Sequence, residues 1–318
     1  MAARILAVPI ADRATASSRL RLHDLVRLLP RHFDTTVLRP RDSAHLHSQE
    51  PSRFDLVYVQ KDATPTVVEF AQRAAHTGVP VVYDIDDDFG CWPGMDEEAM
   101  CELASLVTVD SQQRAAAVRP AAGGPVIVLP CMIDAAADPY RLLLPNRPAE
   151  QVRSVSSFGN LPSLRAARAY LRAVPPGLDT YIVGPSGCRA ELGGLRVVTF
   201  RLDTFVRDLG ASDLFFLAHG SHEAALKDNN RLIMAMSLGI PSLVSVTPAY
   251  TDTLAELGLA WLACAPAEVP DRLEQLADPA VRTPIAAAGR EYAWSGFSPS
   301  LCAARLAEAL NMALDGAA

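Results

Sequence analysis

The segment from Lys227 to Ser245 carries the residue types best suited to holding an anion. It begins with cations and amides, continues as an apolar helical run, and reaches Gly239 and Pro241, which end helices in this order. The first N–H groups of a helix lack an intrahelical partner, and the positive end of its dipole attracts negative charge. A helix that begins behind Lys227 and Arg231 therefore predicts a phosphate site, the alternative being an ordinary surface helix with a solvated start.

Three other turns follow apolar runs that predict strands. Gly159 and Asn160 follow one run, Gly184 ends the next, and His219 follows a third. Glycine allows the backbone to approach a ligand closely, and a histidine in such a turn can position phosphate or sugar hydroxyls. For His219, a loop histidine whose hydrogen bonds are satisfied within the protein is the alternative.

Acidic residues form a second candidate site. Asp84, Asp86, Asp87 and Asp88 lie at or just beyond the end of the apolar run VPVVYDI. Adjacent carboxylates are ligands that Mg²⁺ prefers, although a turn whose carboxylates orient a ligand and a solvated cap of the next helix are the alternatives. We expect Asp86 and Asp87 to orient a ligand without a bound metal. A Mg-dependent phosphatase that uses the Asp84–Asp88 cluster is an alternative.

Ser18 and Arg19 lie at the start of the first predicted helix. From this position both side chains can contact a ligand such as a phosphate, whereas a simple helix cap is the other role for the serine. Asp12 lies in the loop before this helix and is a further candidate for a general base.

Strand patterns alternate with helix patterns along most of the chain. Runs such as VPVVYDI are apolar on both faces, which is typical of a parallel sheet covered by helices on both sides. Residues 135–152 carry three prolines and no clear period, so they predict a linker. The pattern therefore predicts two doubly wound α/β domains, with ligands bound in the cleft at the carboxyl ends of their strands.

Composition narrows the functional classes. The 318 residues suffice for two domains of about 150 residues each. A net charge of −7 does not favour nucleic acid or an anionic membrane, although the scattered arginines leave a peripheral membrane contact open. The six cysteines form no Cys-x-x-Cys pair, and the apolar run near the start is too short for a secretion signal. We therefore expect a cytoplasmic protein with reduced thiols, and the sequence does not fix its oligomeric state.

The order of the motifs in the second half resembles that of the nucleotide-sugar-binding half of GT-B glycosyltransferases, most closely the retaining family 4 group. The resemblance covers about residues 155–250. It is carried by FGN, GPSG, ASDLFFLAH, the Lys-x-x-Asn-Arg run at 227–231, and AMSLGIPSLVS. In the first half, ASSRLR, VPVVYDIDDDF and LVTVDSQQ are similar to bacterial members, as is EYAWSGFSP near the end.

The resemblance implies a GT-B fold, with two Rossmann-like domains facing each other across a cleft. Residues 1–145 would form the acceptor-side domain and residues 152–290 the nucleotide-sugar domain, with 291–318 crossing back to the first. It implies transfer of a sugar from a UDP- or GDP-sugar to an acceptor, with retention, without a metal and without a further cofactor. The acceptor itself, whether glycan, lipid-linked sugar, small molecule or protein, is not implied.

The resemblance also implies roles for individual residues. The phosphate oxygens of the leaving diphosphate need cations fixed in place to stabilise their charge. Several positions of this sequence match residues on the donor side or the acceptor side of the family. The catalytic candidates are Lys227, Arg231, Glu223 and His219, the donor-binding candidates are Gly159, Asn160, Gly184, Asn229 and Asn230, and the acceptor-side candidates are Ser18, Arg19, Asp86 and Asp87.

One position departs from the family. Many family 4 enzymes carry two glutamates eight positions apart, and the second contacts the ribose hydroxyls. Here the second position is Met234 and the first is Leu226, with Glu223 nearby. A methionine cannot accept hydrogen bonds from ribose in that way, so either another group, such as Asn229 or Asn230, contacts the ribose or the affinity for the donor is weak. A non-catalytic homologue that serves as a binding partner of another transferase is therefore an alternative function.

Overall fold

The computed structural model describes residues 2–39, 46–87, 92–141, 150–220 and 225–316. The chain forms two compact units, Met1–Met132 with Pro299–Ala318 and, between them, Ile133–Ser298. The change of unit at residue 132 comes before the predicted boundary at 145–152. The predicted boundary at residue 290 falls inside a helix, because the chain returns to the first unit only at Pro299.

The first unit is built on a six-stranded parallel sheet with the strand order β2-β1-β3-β4-β5-β6. Its strands are β1 Ala3–Pro9, β2 Phe33–Val37, β3 Leu56–Gln60, β4 Val81–Ile85, β5 Leu106–Val109 and β6 Val126–Val128. Its helices are α1 Ala16–Ser18, which continues as a wider helical turn over Arg19–His23, α2 Pro65–His76, α3 Glu97–Leu103, α4 Gln112–Val118 and α12 Pro299–Asp315.

Both faces of this sheet are covered. Leu6 and Val8 point to a core shared with α2, α3 and α4, whereas Ile5 and Ala7 point to a core shared with the α1 region and α12. This alternation follows from the period of two along a strand. The last helix of the chain therefore supplies much of the apolar cover for one face of the first sheet.

A buried ion pair crosses the second of these cores. Arg21 donates from Nε to one oxygen of Asp84 at 2.8 Å and from Nη2 to the other at 2.5 Å. Thr108 also donates to Asp84, and Arg21 further donates to the carbonyl of Leu129. Both charged side chains are almost inaccessible to solvent. Asp84 thus ties α1 to β4, and its buried, fully engaged carboxylate does not suit attack on a phosphate ester.

Removal of Arg21 tests this structural role. Arg21→Met would leave the Asp84 carboxylate buried without its cation, so we expect the free energy of unfolding to fall by about 3–5 kcal/mol. Urea unfolding followed by circular dichroism measures the change. Arg4→Met is the matched control, because Arg4 pairs with Asp55 on the surface. Equal stability of the two variants would contradict the assignment.

The second unit contains a five-stranded parallel sheet with the order β11-β10-β7-β8-β9. Its strands are β7 Ser154–Phe158, β8 Asp179–Gly184, β9 Arg196–Thr199, β10 Leu214–Leu217 and β11 Ser242–Val244. Its helices are α5 Leu161–Arg172, α6 Cys188–Glu191, α7 Phe205–Gly210, α8 Asn230–Ser237, α9 Pro248–Glu256, α10 Val269–Ala277 and α11 Pro279–Phe297.

Helix α8 is held in place by α11. A Cβ on Gly289 would lie 3.1 Å from Cγ of Met236, so a glycine at this position lets the two helices pack closely. Trp294 of α11 donates from Nε1 to the carbonyl of Ser237 at 3.0 Å, which satisfies a backbone acceptor at the end of α8. These contacts fix the direction in which the first turn of α8 points.

Two further properties concern the described residues of both units. Within the described ranges, no helix is long and apolar enough to cross a membrane. The cysteines described by the structure carry free thiols and are buried: Cys101, Cys131, Cys188, Cys264 and Cys302.

Candidate functional site

The second sheet reverses its strand order between β7 and β10. From β7 the chain builds outward through β8 and β9, and then crosses to the other side to add β10 and β11. The connections leave the sheet in opposite directions at such a point, and open α/β sheets bind ligands in the crevice outside the carboxyl ends of these strands. The turns that follow β7 and β10 are therefore the first place to look for a site.

Arg231, in the first turn of α8, occupies this crevice. Its Nη2 donates to the carbonyl of Ala218 at 2.8 Å, and its Nη1 donates to the carbonyl of Phe158 at 3.3 Å. Gly159 makes room for this side chain, because its φ is 140° and a Cβ there would lie 3.2 Å from Cδ of Arg231. The glycine thus serves the close approach of an arginine, where the sequence suggested the approach of a ligand.

His219 is the next residue after Ala218 and is bonded to the same guanidinium. Nη2 of Arg231 lies 3.0 Å from Nδ1 of His219, and since an arginine only donates, Nδ1 must be the unprotonated acceptor. The neutral ring therefore carries its proton on Nε2, which is buried and lacks a well-formed hydrogen bond among the described residues. Burial, followed by the positive charges of Arg231 and Lys227, lowers the pKa of His219 to about 3, against a weaker opposing contact with the Asp228 backbone.

Lys227 and the two asparagines surround the start of α8. Lys227 precedes Arg231 by four residues, and its positive charge contributes to lowering the pKa of His219. Asn229 donates from Nδ2 to Oγ1 of Thr253 at 2.8 Å, which links α8 to α9, and the backbone N–H of Asn230 faces Oδ1 of Asp228 at 3.3 Å. The structure therefore joins Arg231 to His219, with Lys227 in the segment that leads into α8, while the Asn229 amide has a structural partner.

Asn160 and Gly184 shape the framework of the site. Oδ1 of Asn160 accepts from the backbone N–H of Ser163 at 3.1 Å and so caps α5, while the residue itself is exposed. A Cβ on Gly184 would lie 2.5 Å from Cδ1 of Leu164, so a side chain at this position would have to displace the end of Leu164 on α5. Neither observation requires a ligand, and donor binding by these two residues stays a prediction.

Three residues after β11 complete the surroundings, and the sequence did not single them out. The ring of Tyr250 stacks on His219 with centroids 4.5 Å apart, and Oγ of Ser245 accepts from the backbone N–H of His219 at 3.1 Å. Oη of Tyr250 and Oγ1 of Thr247 are buried and have no hydrogen-bond partner in the part of the chain that is described. The feature of the sequence that could have identified these residues is the polar turn that directly follows β11.

Met234 lies on the core side of α8. It is only 6% exposed and belongs to the apolar core of the second unit, and its carbonyl accepts from Ser237. The position where the family resemblance expects a ribose-binding glutamate is therefore used for packing in this chain. Glu223, the candidate for the first glutamate, lies outside the described residues.

In the first unit, Ser18 and Arg19 are both buried by their own surroundings. Oγ of Ser18 donates to Oε1 of Gln60 at 3.0 Å. Arg19 is 2% exposed, and its Nη1 donates to the carbonyls of Arg13 and Ala14. Arg19 thus holds the loop between β1 and α1, and contact of its guanidinium with an acceptor stays a prediction.

Asp86 and Asp87 share a cation that the sequence analysis missed. Nζ of Lys61 lies 2.6 Å from Oδ1 of Asp86 and 2.7 Å from Oδ2 of Asp87. Lys61 has a φ of 61°, which costs a residue with a side chain about 1–3 kcal/mol and is found where function or packing requires it. Among the described residues, no group of three metal-ligating side chains is suitably placed for a metal ion.

The chain was compared with protein-family models, curated proteins and solved structures. No protein-family model matches the chain, and no curated protein matches it in sequence. Solved structures do match. They include AviGT4, a glycosyltransferase involved in avilamycin A biosynthesis, with a TM-score of 0.61 at 12% identity over 99% of this chain and 98% of that one.

Two further matches have comparable scores. UDP-GlcNAc 2-epimerase from Neisseria meningitidis, bound to UDP-GlcNAc, gives 0.59 at 12% identity over 97% of this chain and all of the other. A Thermobaculum terrenum O-GlcNAc transferase mutant gives 0.61 at 13% identity over 99% of this chain and 68% of that one.

The chain has the GT-B fold. The predicted pair of Rossmann-like parallel sheets is thereby confirmed, and the site on β7, β10 and α8 belongs to the second of the two GT-B units. Identities this low show the fold alone, so membership of family 4 stays a prediction.

The neutral state of His219 predicts a pH dependence of stability. The unfolded chain takes up a proton on this histidine near pH 6.5, and the folded chain does so only near pH 3. The unfolded state then binds more protons, so the free energy of unfolding falls as the pH drops through this window, by at most about 1.4 kcal/mol per pH unit. We expect His219→Asn to lose stability less steeply than the wild type between pH 7 and pH 4.5.

Urea midpoints at a series of pH values measure this slope. His76→Asn is the control, because His76 is an exposed histidine on the surface of α2 in the other unit. An unchanged slope in His219→Asn would show that His219 is not held neutral.

The packing of Met234 predicts the effect of placing a glutamate at this position. Met234→Glu would bury a carboxylate among apolar side chains, and we expect it to lower the free energy of unfolding by about 3 kcal/mol or more. Met234→Leu keeps the volume and should cost less than about 1.5 kcal/mol. Urea unfolding compares the two, and a glutamate variant as stable as the leucine variant would place this side chain in solvent.

Proposed function

We propose that this protein transfers a sugar from a nucleoside-diphosphate sugar to an acceptor, with retention and without a metal. The observation that carries the proposal is the set formed by Arg231, Lys227 and neutral His219 at the strand-order reversal of the second sheet. The donor in this proposal is a UDP- or GDP-sugar.

The chemistry of the leaving group fits this set. When the bond between the sugar and the diphosphate breaks, negative charge builds on the phosphate oxygens. Cations already fixed in place stabilise this charge without having to reorganise, which lowers the barrier. Two backbone carbonyls hold Arg231 in place. Because its partners among the described residues are uncharged, they do not neutralise its positive charge.

His219 adds a neutral donor to the two cations. Because Nδ1 accepts from Arg231, Nε2–H is the side of the ring that is left to donate to a phosphate or sugar oxygen. Lys227 and Arg231 would do for the diphosphate what a divalent cation does in metal-dependent transferases. This is the basis on which we propose metal independence.

The structural neighbours support the choice of ligand class. AviGT4 is described as a glycosyltransferase, the Thermobaculum protein as an O-GlcNAc transferase, and the epimerase was solved with UDP-GlcNAc bound. A nucleotide sugar is thus the ligand with which one protein of the same fold was solved, and it is the donor class that we propose here.

Calorimetric titration with UDP and GDP tests the donor site directly. Loss of one charge-assisted hydrogen bond costs about 1.5–3 kcal/mol, so Lys227→Ala should weaken binding of the nucleotide by about tenfold or more. Arg231→Lys keeps a positive charge but loses the planar pair of N–H donors of the guanidinium, so it should also weaken nucleotide binding. Arg165→Ala is the control, because Arg165 is an exposed cation of the same unit that pairs with Glu191.

The sequence offers a second readout, because Lys61 and Lys227 are its only lysines. Pyridoxal 5′-phosphate, trapped on lysine by borohydride, carries its own phosphate towards an anion site. We expect Lys227 to be modified and UDP or GDP to protect it. Lys61 is the internal control, since its ammonium is buried between two carboxylates. Absence of both nucleotide binding and protection would overturn the proposed donor site.

A binding role without turnover is the second candidate function. The buried position of Met234 favours it, because the chain lacks a ribose-contacting carboxylate at that place. Incubation with UDP- and GDP-sugars, with and without Mg²⁺, separates the two candidates by release of the nucleoside diphosphate. Release that continues in EDTA supports the transferase, whereas tight nucleotide binding with no release under any condition supports the second candidate.

A further inference from the structure

Helix α5 of the second unit carries three arginines on one face. Arg165, Arg168 and Arg172 are spaced three and four residues apart, so their side chains lie in a row along the helix. The helix connects the carboxyl end of β7 to the amino end of β8. The row therefore leads away from the sheet edge at which Arg231 lies.

Two of these arginines differ in how they are paired. Arg165 forms an ion pair with Glu191, the last residue of α6. Arg168 is half-buried, and its Nε is inaccessible to solvent and has no hydrogen-bond partner among the described residues. Buried N–H groups almost always have an acceptor, so a guanidinium held in this way indicates a ligand that binds to its terminal nitrogens.

A turn of two glycines, Gly193 and Gly194, lies against Arg168. A Cβ on Gly193 would be 3.2 Å from Nη2 of Arg168, so the glycine makes room for the guanidinium. The backbone φ changes from −98° at Leu192 to 27° at Gly193 and 86° at Gly194. Successive N–H groups at such a change of sign point to one side and form a concave site for an anion.

The N–H groups of this glycine turn are not used by the fold. Leu192 donates to the carbonyl of Cys188 at 3.1 Å, which closes α6. Neither Gly193 nor Gly194 donates to a backbone carbonyl of the described residues. The turn therefore adds backbone donors next to the guanidinium of Arg168, while the carboxylate of Glu191 is engaged by a different arginine.

We propose that Arg168 and the glycine turn bind a phosphate group, at a site separate from the proposed donor site. Phosphate oxygens would accept from the terminal nitrogens of Arg168 and from the N–H groups of Gly193 and Gly194. A phosphate fits better than a carboxylate, because it has a third oxygen for these donors and carries more negative charge. The inference does not depend on the proposed sugar transfer.

Labelled glycine tests the site without any nucleotide. The chain has two Gly-Gly pairs, Gly123–Gly124 in the first unit and Gly193–Gly194 in the second. In protein made with ¹⁵N- and carbonyl-¹³C-glycine, Gly124 and Gly194 alone give amide signals coupled to a labelled carbonyl, and Gly194→Ala shows which signal is which. We expect inorganic phosphate to shift Gly194 and to leave Gly124 unmoved.

Two further probes define the ligand. Acetate at the same ionic strength should bind about tenfold more weakly than inorganic phosphate, because it offers fewer oxygens and less charge. Methyl phosphate separates two sources of the same chemistry. A shift of Gly194 with both phosphates supports a site for phosphate esters, whereas a shift with inorganic phosphate alone supports a site for the free anion.

Substitution of Arg168 tests its role in binding. Arg168→Gln removes the charge and should weaken phosphate binding about tenfold or more. Arg168→Lys keeps the charge without the planar donors, so its affinity should lie between those of Arg168→Gln and the wild type. Arg207→Gln is the matched control, because Arg207 is an exposed arginine of the same unit that pairs with Asp208. No shift of Gly194, equal binding of acetate, or unchanged binding in both Arg168 variants would each overturn the inference.

The outcome is separable from that of the proposed transfer. We expect Arg168→Gln to bind UDP as the wild type does, and Lys227→Ala to keep the phosphate-induced shift of Gly194. That shift in a protein that binds neither UDP nor GDP would keep this inference and reject the donor site. Loss of the shift in Lys227→Ala would assign the phosphate to the donor site and overturn this inference.

Discussion

The guanidinium of Arg231 joins the ends of two parallel strands that diverge beyond it. The carbonyls of Phe158 and Ala218 lie where the sheet offers them no further strand partner, and Arg231 donates to both. The same group binds Nδ1 of His219 and thereby decides which ring nitrogen keeps the proton. The charge, the tautomer and the shape of the turn after β7 thus all depend on one side chain, which α11 holds in place by packing against α8.

The two units use their cations in opposite ways. In the first unit, Arg21 and Lys61 are matched to carboxylates and hold neighbouring strands and turns together. In the second, the described partners of Arg231 are two backbone carbonyls and the His219 ring, so uncharged groups fix its position. Both sheet edges have the same topology of carboxyl ends, so the difference between them lies in how their cations are paired and not in the fold.

Much of the fold was predictable, because strands apolar on both faces and helices with one apolar face leave few alternatives to two doubly wound sheets. The grouping of Lys227, Arg231 and His219 was also predictable, since the carboxyl ends of parallel strands meet at one edge. The partners of other residues were not. Nothing local to Arg19 shows that it bonds its own loop, and nothing near Asp86 shows that a lysine 25 positions earlier neutralises it. Likewise, the change of unit at Pro299 depends on which surface the last helix covers, which no local pattern records.

The position of α12 has a consequence for how the protein folds while it is synthesised on the ribosome. Domains usually fold in the order in which they are synthesised. Here the second unit is continuous in sequence, so it is complete once Ser298 has emerged. The first unit must wait, because the face of its sheet that carries Ile5 and Tyr58 packs against α12, which is made after Ser298. The unit whose sheet is translated first thus completes its core after the second unit, and until then the apolar face that α12 covers lacks that helix.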